Sequence, residues 1–380
     1  MGSDFCKKSR SKRYAACSDV AEMEGFEPPH TLRCLSDFES EPFSHLGTSP
    51  YSLCVDTILT YFLLYRKEFC CILRTFYSHE EITVDTLYFN GTVRTMTAMA
   101  PEEALLVRDG RVLRAGDFAP LLKECTYTAK VDLQGGCLLP AVFSPRARSP
   151  VPRQTITLNT CPGEEPALSP RELLRQVREA ADGGYQLAVR CFTDGAIDRL
   201  LAALEKGKYP AALRPLILGG EMMEKDQLVL AKKLGAAVVF SLGDLYPRGD
   251  SLLKALGDRA HTLWPCWSAL RREVPFTLSG EEEAPGLETV FSAAVRRTSS
   301  GVQLGRGERV SVYEALQAVT VDLAWTHHLE RECGTLAPGM RADLVILDRD
   351  PLEVDEEDPP PIRLLQAVQE GKTLWRGPSE

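Results

Sequence analysis

Short apolar segments alternate with amphipathic segments between residues 138 and 333, and this alternation constrains the fold more than any other feature of the sequence. The run Ser169-Pro170-Arg171-Glu172 predicts a helix start, because serine caps the helix, proline takes its first position and glutamate completes the capping box. Repeated short strands with intervening helices predict a parallel sheet, either open or closed into a barrel. The predicted strands are 186–190, 215–218, 236–241 and 275–279, with helices at 196–205 and 225–234.

Both ends of the region after residue 84 are predicted to be β structure. Near its start, Asn90-Gly91 and Asp109-Gly110 each separate two extended segments. Both pairs favour type I′ hairpins, because asparagine, aspartate and glycine tolerate the positive φ values that this turn requires. Toward the C-terminus, Pro338-Gly339 predicts a type II turn, the segment 343–348 a strand, and Gly371 the turn of a closing hairpin.

The first 80 residues do not share this pattern. They carry six of the twelve cysteines of the chain and show no clear period of apolar residues. The segment 1–16 is basic and polar but lacks the apolar run of a signal peptide. Residues 23–40 resemble translated DNA around transfer-RNA genes, so we expect residues 1–80 to be disordered or to precede the true start of the protein. The alternative is a short regulatory or membrane-proximal extension.

The composition indicates a globular protein without a nucleic-acid or membrane partner. The 380 residues are 44% apolar and 26% charged, and a net charge of −9 provides no basic surface for nucleic acid. The longest apolar run, 58–65, is far shorter than the ~18 residues that a membrane helix needs. The cysteines are scattered without a CxxC pair or a secretory signal, so we expect reduced thiols in the cytoplasm. The sequence is compatible with a homo-oligomer.

Two segments resemble the amidohydrolase superfamily. The tail from Gly334 to Asp348, with the sequence Gly-Thr-Leu-Ala-Pro-Gly-Met-Arg-Ala-Asp-Leu-Val-Ile-Leu-Asp, is the more specific match. The segment from Arg190 to Asp198 resembles the family-3 branch, which includes exoenzyme-like amide hydrolases and has His-Ala-Ile-Gly-Asp-Arg-Ala at this place. The front hairpin from Thr86 onward fits as well, and the resemblance covers about residues 84–376.

This resemblance implies an α/β fold with two parts. Residues 81–137 and 334–376 are expected to form a small composite β-sandwich, and residues 138–333 a TIM-type (β/α) barrel. A complete barrel of eight strands takes about 200–250 residues, so we expect this one to be incomplete or distorted. The family hydrolyses carbon–nitrogen bonds other than peptide bonds, and it uses one or two divalent metal ions, such as zinc, to supply hydroxide at neutral pH.

The metal ligands of the family are absent from the matching positions. The two histidines of the first barrel strand fall on Arg146 and Arg148, the histidine of the family-3 motif on Arg190, and a further histidine on Gly219. Arginine stays protonated at any working pH and has no lone pair for a metal ion. Glu281 lies near the position of the catalytic base, an aspartate in the family. We therefore expect a catalytically inactive relative, a pseudoenzyme without a metal cofactor.

Three arginines at one end of a barrel repel each other unless anions lie between them. One hypothesis is a structural ion network, in which Glu281, Asp194 or Glu221 neutralises the guanidinium groups. Another is a small-anion-binding or interaction protein, in which bidentate contacts hold a carboxylate or phosphate. The residues assigned to this anion site are Arg146, Arg148, Arg190 and Asp194.

Three further possibilities stay open at the level of sequence. The barrel has shifted, so that the arginines point outward. The protein is a genuine hydrolase whose metal site is relocated or is completed by another subunit. Asp194 matches an aspartate of the family motif, but it also suits the N-cap position of the helix that follows it.

Overall fold

The computed structural model describes residues 85–125, 128–143, 148–158, 168–278 and 286–378. Glu81–Glu380 form one unit. The expectations for residues 1–80, Arg146 and Glu281 lie outside the described residues. Within the described ranges, no helix is long and apolar enough to cross a membrane. The cysteines in these ranges are free: Cys125, Cys137, Cys191, Cys266 and Cys333.

The unit begins and ends in β structure, as predicted, and alternates strands with helices in between. The N-terminal elements are β1 (Asp85–Phe89), β2 (Thr92–Val93), β3 (Ala104–Arg108), β4 (Arg111–Gly116), α1 (Phe118–Glu124), β5 (Thr128–Asp132) and β6 (Cys137–Pro140). The middle elements are β7 (Arg153–Leu158), α2 (Pro170–Gly183), β8 (Gln186–Cys191), α3 (Asp194–Gly207), β9 (Leu216–Gly219), α4 (Lys225–Lys233), β10 (Ala237–Phe240), α5 (Leu245–Leu256), α6 (Cys266–Arg271), β11 (Phe276–Leu278), α7 (Leu287–Val295), α8 (Val312–Val319) and α9 (Val321–Thr326). The tail contains β12 (Leu344–Leu347), β13 (Leu364–Gln369) and β14 (Lys372–Arg376).

The N- and C-terminal segments share two sheets and one core. The first sheet has the order β4-β3-β1-β5, and the second has the order β14-β13-β12-β6-β2. Strand β6 of the front pairs antiparallel with β12 of the tail, with Leu138 opposite Ile346. The cluster between the sheets contains Tyr88 and Leu105 of the first sheet together with Leu344 of the second. The sequence analysis places residue 138 at the start of the barrel, whereas residues 138–140 lie in this second sheet.

Of the two hairpin turns predicted near the start of this unit, one is confirmed and the other is wrong. Asp109 and Gly110 have φ values of 52° and 72° and join the antiparallel strands β3 and β4, so this hairpin is confirmed. The hairpin predicted at Asn90-Gly91 is wrong, because β1 pairs with β3 and β5, whereas β2 pairs with β6 in the other sheet. Gly91 is required there by close packing, since a side chain at this position would collide with the carbonyl of Gly136.

The middle of the unit is a parallel sheet of five strands in the order β11-β10-β9-β8-β7, within the ranges that the structure describes. Helix α2 begins as the sequence predicts, because the Ser169 hydroxyl accepts a hydrogen bond of 3.2 Å from the backbone N–H of Glu172. The parallel arrangement and the alternation with helices are confirmed. A complete (β/α) barrel has eight strands, and the expectation of an incomplete barrel stays a prediction.

The two faces of the parallel sheet are covered by different elements. Helices α2, α3 and α4 contribute to the main core on one face, where Val189 and Phe240 are fully buried. On the other face, Trp325 of α9 packs against the small cluster that includes Leu218 and Val239. The guanidinium group of Arg214 lies 4.2 Å from the centre of the Trp325 ring, which holds α9 against the amino-terminal ends of the strands.

A buried ion pair joins the front of the chain to its tail. Nε of Arg94 donates to Asp350 Oδ2 at 2.8 Å, and a second guanidinium nitrogen lies 2.7 Å from the same oxygen. Both residues are buried, at 7% and 6% exposure. Arg94 also donates to the carbonyl of Met99 at 2.9 Å. Removing one partner of a buried pair leaves the other charge without compensation, so this contact has a large effect on stability when it is broken.

We expect Arg94→Met to lower the free energy of unfolding by about 3–5 kcal/mol, because Asp350 would remain buried without a cation. Urea denaturation followed by circular dichroism measures this change. The matched control is Arg108→Gln, which breaks the exposed pair between Arg108 and Asp85 and is expected to change stability little. If both variants showed a similarly small decrease in the free energy of unfolding, the proposed importance of the buried pair would be contradicted.

Candidate functional site at the carboxyl ends of the parallel strands

The parallel strands bring several of the predicted site residues to one edge of the sheet. Strand β8 ends at Cys191 and β9 ends at Gly219, and these two residues are direct neighbours in the register. Arg190 is opposite Leu218 of β9 and Thr157 of β7. It therefore lies on the same face of the sheet as Leu218, and Trp325 packs against this face nearer the amino-terminal ends of the strands. Asp194 begins helix α3 three residues after the end of β8. In α/β folds this edge carries the functional groups.

Arg148 has partners that the sequence did not suggest. Its guanidinium group lies 3.5 Å from Asp343 and 3.3 Å from Glu370, and both carboxylates belong to the tail. Asp343 is 1% exposed and also lies 3.0 Å from Arg341. Among the described residues, Arg148 pairs with carboxylates of the C-terminal segment rather than with Asp194 or Glu221. These ion pairs connect Arg148, which precedes β7, to Asp343, which directly precedes β12.

Asp194 takes part in an exposed ion pair rather than in a helix cap. Its carboxylate accepts a hydrogen bond of 3.0 Å from Arg259 and one of 2.8 Å from the backbone N–H of Gly195. The N-cap of α3 is Thr193, whose hydroxyl accepts from the N–H of Ala196 at 3.3 Å. The N-cap role considered for Asp194 is wrong by one residue, because Thr193 takes this position.

Gly219, where the sequence resemblance places a family histidine, leaves no space for a side chain. Its φ is +100°, a conformation that residues with a side chain rarely adopt. A Cβ atom here would lie 2.7 Å from the carbonyl oxygen of Cys191 and 3.0 Å from Oε2 of Glu221. The first of these atoms is backbone and cannot move aside without a shift of the strand β8. A histidine at residue 219 is therefore incompatible with the observed backbone.

Glu221 lies next to this glycine and is largely removed from water. Burial raises the pKa of its carboxyl group above the usual range, and the neighbouring Asp244 acts in the same direction. A hydrogen bond with the Ser241 side chain opposes this shift by stabilising the carboxylate. The sequence suggests Glu221 only as a counter-ion for arginine. The structure places its Oε2 atom 3.0 Å from where a Cβ atom of residue 219 would lie.

The described residues do not fit the divalent metal ion of the family. Arg148 and Arg190 have no lone pair to donate, and Gly219 has no side chain. In the ranges that the structure covers, no group of three or more histidine, cysteine, aspartate or glutamate side chains is arranged to hold a metal ion. Arg146 and Glu281 are outside these ranges, so their assigned roles stay predictions.

Asp322 is a titratable residue that the sequence analysis missed. It lies in helix α9, three residues before Trp325. Burial raises the pKa of its carboxyl group to about 7, since the charged form is disfavoured where water is excluded. The sequence contains one signal for this residue. Asp322 is a carboxylate between apolar residues in the segment Val321-Asp322-Leu323-Ala324.

Comparison with known proteins identifies the family. The sequence profile of the amidohydrolase family, in its family-3 form, matches residues 146–374. The chain belongs to the amidohydrolase family. The resemblance stated from the tail and from the segment 190–198 is thereby confirmed at the level of the superfamily.

Two curated proteins are similar over about half of the chain. The YtcJ protein of Bacillus subtilis (strain 168), whose name places it among the amidohydrolases, is 27% identical over 220 residues, which are 53% of this chain and 39% of YtcJ. The N-substituted formamide deformylase of Arthrobacter pascens is 31% identical over 195 residues, which are 50% of this chain and 36% of the deformylase. The matched part of this chain thus spans less than two fifths of the length of either relative.

The fold is similar to that of solved metal-dependent hydrolases. The structure of an uncharacterized metal-dependent hydrolase from Pyrococcus furiosus superposes with a TM-score of 0.58. The match covers 71% of this chain and 100% of that protein, at 14% sequence identity. At this identity the likeness concerns the fold alone, and function has to be argued from the site.

We expect Gly219→Ala to lower the free energy of unfolding by about 1–3 kcal/mol, because alanine would be strained at this positive φ and would collide with the carbonyl of Cys191. Urea denaturation measures the difference. Gly243→Ala is the matched control, since nothing lies within 4 Å of a Cβ atom at that position. Equal stability of the two variants would show that residue 219 has space for a side chain.

We expect the stability of the protein to fall between about pH 4 and pH 7 through the titration of Asp322. The folded state binds this proton more tightly than the unfolded state, because the folded pKa of about 7 exceeds the ordinary value of 3.8. The stabilising contribution is therefore complete below the ordinary pKa and is lost as the pH rises through the folded pKa. Thermal unfolding of the wild-type protein and Asp322→Asn over this range measures the contribution.

In Asp322→Asn the neutral amide takes the place of the protonated acid, so this part of the pH dependence disappears. The variant is expected to be more stable than the wild-type protein at pH 8. Parallel pH profiles for the two proteins would show that Asp322 does not titrate in this way.

Proposed function

We propose that this chain keeps the amidohydrolase fold but does not carry out the metal-dependent hydrolysis of carbon–nitrogen bonds that is typical of the family. The observation that carries this proposal is the environment of Gly219. The position of a family histidine has neither a donor atom nor the space for one, since Cys191 and Glu221 occupy it. In this proposal the protein is a pseudoenzyme, and its present role depends on its surfaces rather than on the former metal site.

The chemistry of amide hydrolysis supports this proposal. A metal ion lowers the pKa of bound water to about 7 and polarises the carbonyl group, and holding it requires about three or four imidazole or carboxylate ligands. Two of the matching positions in the described residues are guanidinium groups. One of these, Arg148, is held by Asp343 and Glu370. Restoring a histidine at this position would therefore also remove a contact between the barrel region and the tail.

The small-anion hypothesis is weaker than the sequence suggested. It requires Arg146, Arg148 and Arg190 to turn toward one ligand. Arg148 already has two carboxylate partners within 3.5 Å, and Asp194 pairs with Arg259 at 3.0 Å. The hypothesis then depends on Arg146 and Arg190 alone. We keep it as the alternative to the pseudoenzyme proposal.

We expect the purified chain to contain no stoichiometric zinc and to release no amine from an N-substituted formamide above the buffer rate. Elemental analysis after incubation with zinc, followed by desalting, measures the metal content. A fluorescent amine assay measures hydrolysis. The tests are made on the wild-type protein, on Glu281→Gln and on Asp182→Asn, an exposed carboxylate of helix α2 that serves as the control.

Zinc bound in a one-to-one ratio and lost only in Glu281→Gln would overturn the proposal and favour a relocated metal site. Zinc and activity that appear only in an oligomeric fraction would overturn it in favour of a site completed by another subunit. Thermal stabilisation by phosphate that Arg190→Gln abolishes would instead favour the anion-binding alternative.

A further inference from the structure

We propose that a groove in this protein binds a small amphiphilic cation. The groove lies between the second sheet (β14-β13-β12-β6-β2) and the helices α7 and α8. The hydrocarbon part of the ligand lies in an apolar end of the groove, and its ammonium group lies in an acidic end. The groove is lined by other residues than those at the carboxyl ends of the parallel strands. The proposal is therefore independent of whether the former metal site retains any activity.

The apolar end of the groove is a cavity of about 410 Å³. One wall is a row across the second sheet, where Val345 of β12 is opposite Leu139 of β6 and Ala367 of β13. The other wall consists of Leu316 and Val319 of helix α8 and residues at the start of α7. Cavities of 300–1,000 Å³ with such a lining are typical of small-molecule sites. A ligand that places hydrocarbon against these walls gains binding free energy, because apolar surface is removed from water.

The acidic end is a second cavity of about 590 Å³ that adjoins the first. The two share Leu287, Glu288 and Ile362, so one ligand can extend from one into the other. Two aromatic rings line the acidic end, those of Tyr246 and Phe291. Tyr246 is 60% exposed, which is unusual for a large ring and leaves its face accessible to a ligand.

The charges of the acidic end select a cation. Among the described residues, its lining contains the carboxylates of Glu288, Glu357 and Asp358 and one guanidinium group, that of Arg297. Glu357 is already paired with Arg297 at 3.2 Å and with Arg309 at 3.0 Å. Glu288 and Asp358 are exposed and have no ion pair with any cation in the described part of the chain. An anionic amphiphile would meet this excess of negative charge and be repelled.

An ammonium group fits both features of the acidic end. It is attracted by the carboxylate of Glu288, which lies where the two cavities meet. It is also attracted by the electron-rich faces of aromatic rings within about 6 Å, and this is the usual way in which proteins recognise alkylammonium ions. A chain of several methylene groups then reaches the apolar cavity. The groove thus matches an alkylamine with a single positive charge.

Titration of the full chain with hexylammonium, followed by NMR or by calorimetry, tests the proposal. Methylammonium has the same charge without the tail, and hexanoate has a tail of the same length with the opposite charge. We expect hexylammonium to bind, with an affinity that increases by at most about fourfold for each methylene group added from methylammonium upward. Hexanoate is expected not to bind in the same concentration range.

Two exposed substitutions locate the site without disturbing the core. Glu288→Gln and Tyr246→Ala are each expected to weaken hexylammonium binding by about two- to fivefold. Asp182→Asn removes an exposed carboxylate of helix α2 and is expected to leave the affinity unchanged.

Three results would overturn the proposal. Equal binding of hexanoate would show an apolar groove that does not distinguish charge. Hexylammonium binding that neither Glu288→Gln nor Tyr246→Ala weakens would place the ligand elsewhere. Absence of hexylammonium binding up to its solubility limit would show that the groove is not a ligand site.

Discussion

Antiparallel pairing of β6 with β12 is the interaction on which the rest of the unit depends. It brings Leu138 opposite Ile346, two residues about two hundred positions apart in the chain. Closing so long a loop has an entropic cost, which has to be offset by contacts that form only when both ends are in place. The shared core of the two sheets supplies the apolar part of this compensation. The pairs Arg94–Asp350 and Arg148–Asp343 join the same two ends of the chain.

The residues at the expected ligand positions have structural roles. Arg148 holds the start of the barrel region to the tail through Asp343 and Glu370. Gly219 allows the carbonyl of Cys191 and the carboxyl group of Glu221 to approach the strand end closely. Each of these residues contributes to packing or to ion pairing at its own position. A histidine at either position would therefore disturb these contacts.

Sequence reasoning succeeded where the physical cause is local. The Ser169 cap is confirmed because it depends on residues within one helical turn. The turn at Asp109-Gly110 is confirmed for the same reason. Asn90-Gly91 has the same local signal and yet joins strands of different sheets. Its geometry is decided by the contact between Gly91 and Gly136, which are far apart in sequence.

The sequence by itself determined the family, the alternation of strands and helices and the absence of imidazole at the matched positions, because these depend on residue type and local spacing. Only the tertiary structure decided what the replaced residues contact. The partners of Arg148 lie in the tail, and the groove at Glu288 combines a sheet with two helices. Such contacts depend on how distant segments pack, and residue spacing along the chain does not specify them. The structure thus shows ion pairs and close packing contacts at these positions, with a separate groove beside them.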